Sequence, residues 1–251
     1  MQLGLSGKVA LITGGARDVG RDISLALAVE GATIAVNYRS SADEAQAVVA
    51  EIVKAGGKAA AFQADVADLG AVRRMTGELV AEFGRIDVLV NNAGVVKRQR
   101  FVDTTPEDWR SQIDVGLYGV IHCCHAVAPH MIKQNGGRII CLAGDSSRVG
   151  EAGLAMAAAA RAGAIALAKS LAREFGRSNI TVNSVALGLI ETAHTDKAWL
   201  DENRDKITRL YPLKRIGLPG DVAPLIALLA SDAGGWITGQ TISVNGGFSM
   251  L

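Results

Sequence analysis

The chain has 251 residues, a length sufficient for one large α/β domain with a substantial core. Hydrophobic residues make up 49% and charged residues 20% of the sequence, which is typical of a globular protein and excludes a disordered one. The net charge of +1, with acidic and basic residues spread along the chain, argues against a nucleic-acid or other polyanionic partner.

Cysteine usage and hydropathy indicate where the protein works. The three cysteines fit a reducing compartment, and they are Cys123, Cys124 and Cys141. The adjacent pair is interpreted as buried helix residues, with a redox pair as the alternative. No signal-peptide core is found at the N-terminus. The alanine-rich run Ala152–Ala172 is interrupted by Arg161 and Lys169, which favours a buried helix over a membrane span. We expect a cytoplasmic protein with no membrane partner and no metal site.

The first predicted unit is a strand, a glycine-bearing turn and a helix. The apolar run Val9–Ile12 is typical of a strand buried on both faces. The turn Thr13–Gly20 follows, and apolar residues then recur at helical spacing up to Gly31. Such a turn brings backbone N–H groups and a helix N-terminus to one point. It therefore predicts a cradle for a pyrophosphate.

The remaining pattern alternates strands with helices. Further strands are predicted at Thr33–Asn37, Ala59–Gln63, Ile86–Val90, Arg138–Leu142, Ile180–Val185 and Gln240–Val244. Helices are predicted at Ser41–Gly56, Asp68–Gly84, Pro106–Gln134, Gly153–Phe175 and Asp221–Ser231. Right-handed crossovers then predict a Rossmann-type, doubly wound parallel sheet of about seven strands with helices on both faces, in a single domain of residues 1–251. The polar, irregular segment at about 190–215 is predicted to be a lid of short helices over a substrate site.

The motifs at the strand ends carry a family resemblance. The first turn resembles the TGxxxGxG turn of the short-chain dehydrogenase/reductase family, with matches at Thr13, Gly14 and Gly20. Asn91–Gly94 reads NNAG, which resembles that family's motif after the fourth strand. The C-terminal stretches Ile237–Thr241 and Val244–Gly247 look like those of its β-ketoacyl-thioester reductases.

The resemblance implies a nicotinamide dinucleotide cofactor and a set of binding residues. That set is Gly14, Arg17, Asp18, Val19, Gly20, Arg39, Asp65, Val66, Asn92, Ala93, Gly94, Arg161, Ile190 and Thr192. No carboxylate follows the second strand to hold the ribose 2′-hydroxyl of NAD. Arg39, with Arg17, is suited to a 2′-phosphate instead, so NADP(H) is favoured over NAD(H), with solvated surface arginines as the alternative.

Asp18 departs from the family pattern because it replaces the middle glycine of the turn. Two unit charges about 4 Å apart, such as a carboxylate and a phosphate, repel each other by about 1 kcal/mol in water and about 4 kcal/mol near a protein surface. We expect Asp18 to cap its own helix and to point away from the ligand. Arg17 and Arg21 are the cations that would offset its charge.

The family's Asn, Ser, Tyr and Lys catalytic positions are all substituted according to the resemblance. Asp114-Val115 is followed by Gly116, the fifth strand is followed by Gly144, and the Tyr-x-x-x-Lys pair reads Ala157 and Arg161. A positioned general acid contributes roughly 10²–10⁴-fold to a rate. Its loss predicts crippled carbonyl reduction or alcohol oxidation, while Arg161 would keep a role in cofactor positioning.

Other side chains near the predicted pocket were considered as substitutes. Asp145, Ser146 and Ser147 are interpreted mainly as loop caps, and His122 and His125 as packing or surface residues. Contacts with substrate are considered for the lid residues His194, Trp199 and Tyr211. An anionic group such as a coenzyme A phosphate is considered for Arg98, Arg100 and Arg148, with a solvated surface favoured.

Three functional hypotheses stay open at this stage. The first is an NADP(H)-dependent relative that transfers hydride without a tyrosine, most plausibly by reducing an enoyl thioester. The second is a catalytically silent scaffold or sensor, or a partner subunit of an active relative. The third is lyase or hydrolase chemistry in the same pocket. The family resemblance further implies a homotetramer or a hetero-oligomer with a related chain.

Overall fold

The computed structural model describes residues 3–251, and its centre is a seven-stranded parallel sheet. The strands are β1 (Val9–Ile12), β2 (Thr33–Tyr38), β3 (Lys58–Gln63), β4 (Val88–Asn91), β5 (Gly137–Gly144), β6 (Ile180–Leu187) and β7 (Thr241–Val244). They lie in the order β3-β2-β1-β4-β5-β6-β7, so the strand order reverses between β1 and β4. This confirms the predicted doubly wound Rossmann-type sheet. A ligand crevice is expected beyond the carboxyl ends of β1 and β4.

The helices alternate with the strands as predicted. They are α1 (Asp18–Val29), α2 (Ala42–Lys54), α3 (Leu69–Phe83), α4 (Pro106–Ile113), α5 (Gly119–Gln134), α6 (Ser146–Val149), α7 (Ala155–Phe175), α8 (Lys197–Thr208) and α9 (Pro219–Ala230). The predicted helix Pro106–Gln134 is continuous but contains one π-helical turn, Asp114–Tyr118, which joins α4 to α5. A single 12-residue helix, α8, occupies the middle of the segment at about 190–215, where the sequence predicted several short helices, and its role as a lid remains a prediction.

Alternating side chains on the strands build two cores. Leu11 of β1 faces one core, which it shares with α3, α5 and α7, while its neighbour Ile12 faces the other, which it shares with α1, α2 and α9. Both side chains are fully buried. The sheet is therefore covered on both faces, which explains why its strands read as continuous apolar runs.

Two long apolar helical stretches contribute to the core that contains Leu11. Pro106–Gln134 and Ala155–Ser178 are long and apolar enough to span a membrane by length and composition alone. In the structure α7 packs against β5 and β6, with Ala157, Ala164 and Ala168 buried. Packing against the sheet therefore accounts for the alanine-rich composition of α7.

Candidate active site

The turn after β1 is fastened to the end of β4 by Thr13 and Asn92. The backbone N–H groups of Asn92 and Ala93 donate to Thr13 Oγ1 at 2.9 and 3.0 Å. In return, Asn92 Nδ2 donates to the carbonyl oxygens of Thr13 and Gly14 at 2.9 and 3.0 Å. These four hydrogen bonds join the ends of β1 and β4 on one side of the crevice. The NNAG segment therefore holds the glycine turn in place.

Asn37 is a structural residue of this loop that sequence reasoning missed. Its Oδ1 accepts from the N–H of Gly14 at 3.2 Å, and its Nδ2 donates to the carbonyl oxygens of Phe62 and Ala64 at 3.3 and 3.1 Å. The side chain is buried at the end of β2. A buried polar residue at a strand end that faces a glycine turn was the available signal.

Gly20 and Asp18 show what the turn demands of its residues. A Cβ at Gly20 would lie 2.2 Å from the carbonyl oxygen of Gly14 and 2.6 Å from Asn92 Nδ2, so only glycine fits there. Asp18 has a φ of 51°, in the left-handed region that favours glycine and that Asp and Asn tolerate best among other residues. The substitution at position 18 therefore retains the backbone shape of the loop.

The expected helix cap by Asp18 is wrong. The N-cap position of α1 is Arg17, and no side-chain cap bond is formed there. The Asp18 carboxylate points across the crevice instead, where its Oδ1 lies 2.9 Å from His194 Nδ1. Arg17 Nε lies 4.0 Å from Asp18 Oδ2. Side chains outside the helix, rather than the N–H groups of α1, thus contact this carboxylate.

One cavity of about 870 Å³ runs along the carboxyl ends of the strands. Every residue proposed from the resemblance to bind the cofactor lines it, namely Gly14, Arg17, Asp18, Val19, Gly20, Arg39, Asp65, Val66, Asn92, Ala93, Gly94, Arg161, Ile190 and Thr192. Arg39 follows β2, as the prediction of a 2′-phosphate contact requires. This volume lies in the upper part of the roughly 300–1,000 Å³ range typical of ligand pockets, so the cavity has room for a large ligand.

The four positions that the resemblance assigns to the family's catalytic residues separate into two groups. Gly144 and Arg161 line the cavity, whereas Gly116 and Ala157 are buried beside it. Gly116 lies in the π turn, where a Cβ would meet the Cβ of Ala160 at 3.2 Å. A larger side chain at position 116 must therefore displace α7.

Arg161 occupies space that the two cavity glycines leave open. Its Nη2 lies 2.9 Å from the point where a Cβ of residue 94 would be, and its Nη1 lies 3.3 Å from the equivalent point at Gly144. Burial alone lowers the pKa of this guanidinium, with no contribution from a carboxylate. The cation is therefore partly desolvated at the cavity floor without a countercharge.

The three polar residues after β5 differ in their roles. Asp145 is buried and accepts from Ser243 Oγ at 3.2 Å and from Asn245 Nδ2, and Ser147 Oγ donates to the carbonyl oxygen of Gly144 at 2.5 Å. These two residues are structural, as favoured. Ser146 Oγ instead lies 3.3 Å from the point where a Cβ of Gly144 would be. Ser146 lines the cavity and faces the same space as Arg161.

The histidines of α5 lie outside the cavity lining. His122 Nδ1 is 2.9 Å from the carbonyl oxygen of Val66, and its ring stacks on Tyr118 with centroids 6.1 Å apart. His125 is exposed. The interpretation of both as packing or surface residues agrees with these positions.

The lid segment contributes aromatic side chains to the cavity. Trp199 and Tyr211 line it together with Phe248, whose position near the C-terminus the sequence did not flag. Tyr211 Oη accepts from the N–H of Leu189 at 2.8 Å, and burial raises the pKa of this tyrosine. Trp199 lies 6.0 Å from the guanidinium of Arg98. The rings of Tyr211 and Phe248 also contact each other, with centroids 5.3 Å apart.

The arginines considered as anion receptors already have partners. Arg98 pairs with Glu151 at 2.5 Å, and Arg100 pairs with Asp103 at 2.6 Å. Arg148 Nη1 donates to Ser243 Oγ at 2.7 Å. Each of the three side chains thus has a partner within the protein, and the prediction of a solvated surface over an anion receptor remains a prediction.

The three cysteines are free and buried next to the end of β4. Asn91 Nδ2 lies 3.6 Å from the sulfurs of both Cys124 and Cys141. Burial raises the pKa of Cys123 to about 12, so its thiol stays protonated. The interpretation of Cys123 and Cys124 as buried helix residues is confirmed. In the described residues 3–251, no cluster of three or more His, Cys, Asp or Glu side chains has the geometry of a metal site.

Comparisons with known proteins agree with this geometry. The family model described as enoyl-(acyl carrier protein) reductase matches residues 14–249. The 3-oxoacyl-(acyl-carrier-protein) reductase FabG of Staphylococcus epidermidis is 45% identical over 243 residues, covering 97% of this chain and 99% of that protein. The corresponding reductase of Synechocystis is 42% identical over 98% of this chain and 99% of its own length.

Solved structures give the same result. A short-chain type dehydrogenase/reductase from Mycobacterium marinum superposes with a TM-score of 0.93 at 34% identity, covering 100% of this chain and 98% of that chain. A Serratia marcescens short-chain dehydrogenase/reductase variant superposes with a TM-score of 0.92 at 37% identity, covering 98% and 99%. The chain belongs to the short-chain dehydrogenase/reductase family. Among its members it resembles the 3-oxoacyl-(acyl-carrier-protein) reductases.

Proposed function

We propose that this protein binds NADP(H) and reduces the double bond of an enoyl thioester without the family's Asn-Ser-Tyr-Lys tetrad. The observation that carries the proposal is the cavity floor, where Gly144 and Arg161 lie at positions that the resemblance assigns to a serine and a lysine. The description of the matching family model supports enoyl chemistry, and the names of the relatives support a thioester substrate.

The residues present fit a dinucleotide. Gly20 permits close approach of the backbone, Asp18 keeps the loop shape at a φ of 51°, and Asn92 fixes both walls of the crevice. Arg39 and Arg17 would hold the 2′-phosphate, because guanidinium groups bind phosphate with paired N–H donors. When bound, the cofactor would supply a hydride at the end of the cavity beside Gly94 and Arg161.

The choice of an enoyl group over a ketone follows from the acid–base properties of Arg161. Reduction of a ketone leaves an alkoxide that must be protonated at once, and Arg161 does not give up a proton near neutral pH. Hydride addition to an enoyl β-carbon instead leaves charge on the thioester oxygen, and water can protonate the α-carbon. The aromatic side chains of Trp199, Tyr211 and Phe248 in the cavity lining would contact the acyl chain.

The remaining assignments are proposals on the same footing. We propose one domain of residues 1–251 with a lid at about 190–215, and a cytoplasmic location supported by three free cysteines. A homotetramer or a hetero-oligomer with a related chain is supported by exposed apolar side chains such as Trp236, which is 99% exposed.

A cofactor titration tests the proposal. NADPH and NADH are titrated by fluorescence, and consumption of NADPH is then followed with enoyl and 3-oxoacyl thioesters. We expect tighter binding of NADPH and turnover of the enoyl thioester. Binding without turnover on a wide substrate panel would favour a silent scaffold, and no binding at all would leave non-redox chemistry or a pure interaction role.

A further inference from the structure

Arg161 is a cation whose geometry calls for an anionic partner from a ligand. Burial lowers the pKa of its guanidinium, and no neighbouring carboxylate opposes that effect. Arginine nevertheless keeps its proton in proteins. Among residues 3–251 no Asp or Glu side chain forms an ion pair with Arg161, so a ligand oxygen that carries negative charge would be stabilised by contact with this desolvated cation.

The two terminal nitrogens of Arg161 lie beside different glycines of the cavity lining. Nη2 faces Gly94 on the wall beside the glycine turn, at 2.9 Å from the point where a Cβ would lie. Nη1 faces the space above Gly144, where Ser146 Oγ is the second donor, and both lie 3.3 Å from the same point. One group can therefore serve the cofactor side through Nη2 and the substrate side through Nη1.

The geometry points to Arg161 and Ser146 as the donor pair that binds the thioester carbonyl oxygen of the substrate and stabilises the negative charge that this oxygen acquires. The inference rests on the proposed function. The β-carbon of the enoyl group accepts a hydride from the reduced nicotinamide, which becomes oxidised. The electron pair of the C=C bond moves to join the α-carbon to the carbonyl carbon, and the C=O pair moves to oxygen. The α-carbon then takes a proton from water, and hydroxide is left.

This role explains why an arginine suits the site better than a general acid. The enolate oxygen needs hydrogen-bond donors while charge is on it, but it does not need a proton. A guanidinium supplies several N–H donors in a fixed plane and keeps its own charge throughout. Glycine at position 144 leaves the room that the carbonyl oxygen requires between Nη1 and Ser146 Oγ.

The first test measures binding and does not depend on turnover. Crotonate carries a stable anionic oxygen, and crotonamide is its neutral counterpart of similar shape. Binding of each to the full-length protein is measured by calorimetry, with and without NADP. We expect crotonate to bind at least about tenfold more tightly than crotonamide, consistent with one charge-assisted pair. Arg161→Met should abolish the preference, Ser146→Ala should reduce it, and Arg100→Met, which changes an arginine outside the cavity, should retain it. Equal crotonate binding by Arg161→Met and the unmodified protein would overturn the inference.

The second test separates this role from simple substrate binding. With crotonyl thioester and NADPH, Arg161→Met should lower kcat by about 10²–10³-fold, while the KM for crotonyl thioester changes little. The reason is that the donor acts on charge that develops in the transition state. Arg161→Lys should recover part of kcat. A rise in KM at constant kcat would contradict the assignment. If the unmodified protein consumes no NADPH, the proposed function fails, and the crotonate preference still decides whether Arg161 is an anion receptor.

Discussion

Asp18 of the glycine turn and His194 of the segment after β6 contact each other across the mouth of the cavity, with 2.9 Å between Oδ1 and Nδ1. His194 Nε2 also lies 3.6 Å from Glu44 Oε1 at the start of α2. Asp18, which replaces a glycine of the family's turn motif, thus connects the turn to the segment at about 190–215. Arg17, with Nε 4.0 Å from Asp18 Oδ2, is the cation beside this carboxylate in the turn.

Removal of the Asp18 charge should strengthen cofactor binding. Repulsion of about 1–4 kcal/mol between the carboxylate and a phosphate predicts that Asp18→Asn lowers the Kd of NADPH by about fivefold or more. Asp18→Gly should do the same and also relieve the cost of a φ of 51°. Fluorescence titration of NADPH measures both variants. Unchanged affinity in Asp18→Asn would mean that the carboxylate does not face the phosphates.

Gly20 should be intolerant of any side chain. Its Cβ would meet backbone at 2.2 Å, so Gly20→Ala should destabilise the fold by about 3 kcal/mol and abolish NADPH binding. Gly77, in the middle of α3, has nothing within 4 Å of its Cβ position. Gly77→Ala should therefore stabilise by about 0.5–1 kcal/mol through helix propensity. Urea unfolding of the two variants compares them directly, and similar effects would refute the close approach at Gly20.

Position 144 and Arg161 should behave as a coupled pair. A serine Cβ at 144 would lie 3.3 Å from Arg161 Nη1, so Gly144→Ser alone should crowd the guanidinium, and Arg161→Lys should relieve that crowding. A double-mutant cycle by thermal unfolding measures the coupling. Additive effects of the two changes would show that the side chains do not share this space.

Restoration of all four family residues should create carbonyl reduction. We expect the combination Gly116→Asn, Gly144→Ser, Ala157→Tyr and Arg161→Lys to reduce 3-oxoacyl thioesters with NADPH. The contact of 3.2 Å between a Cβ at 116 and Ala160 predicts reduced stability as a cost. Absorbance of the nicotinamide band measures activity. Bound cofactor with no activity would show that the substrate pocket has also diverged.

The Arg215–Asp221 ion pair should contribute to stability in a pH-dependent way. Two hydrogen bonds from Arg215, at 2.6 Å each, and the N–H of Leu218 lower the pKa of Asp221 to about 2. Because the folded pKa lies below the unfolded value of about 3.9, the stabilisation is present above that value and is lost as the pH falls toward 2. Urea unfolding should therefore show a gap between the unmodified protein and Asp221→Asn that closes from about pH 4 to pH 2. In an Arg215→Met background the gap produced by Asp221→Asn should be smaller, and a gap that stays constant from pH 4 to pH 2 in the unmodified background would contradict the prediction.

The sequence predicted the sheet and the cavity lining well because both depend on local patterns. Buried runs such as Val9–Ile12 and the turn motifs at strand ends mark elements whose parallel arrangement brings their carboxyl ends together. The direction of the Asp18 side chain could not be predicted, because its partner His194 is 176 positions away in the chain. The same holds for Asn37, whose role appears only when β2 and β3 pair beside the turn.

The substitution of the four family positions also had different consequences that no spacing argument reveals. Of the four positions that the resemblance assigns to catalytic residues, Gly116 lies against Ala160 of α7 and Ala157 is buried, whereas Gly144 lines the cavity beside Arg161. The difference depends on which direction each Cα–Cβ bond takes in the folded chain. The sequence gives the positions of these residues along the chain but not the atoms that surround each of them.

The most direct measurement is consumption of NADPH by the unmodified protein with crotonyl thioester and with acetoacetyl thioester, side by side. We predict that the nicotinamide absorbance falls with the enoyl thioester and stays constant with the 3-oxoacyl thioester, because Arg161 can stabilise an enolate but cannot protonate an alkoxide. Consumption with the 3-oxoacyl thioester, or with neither, would contradict the account.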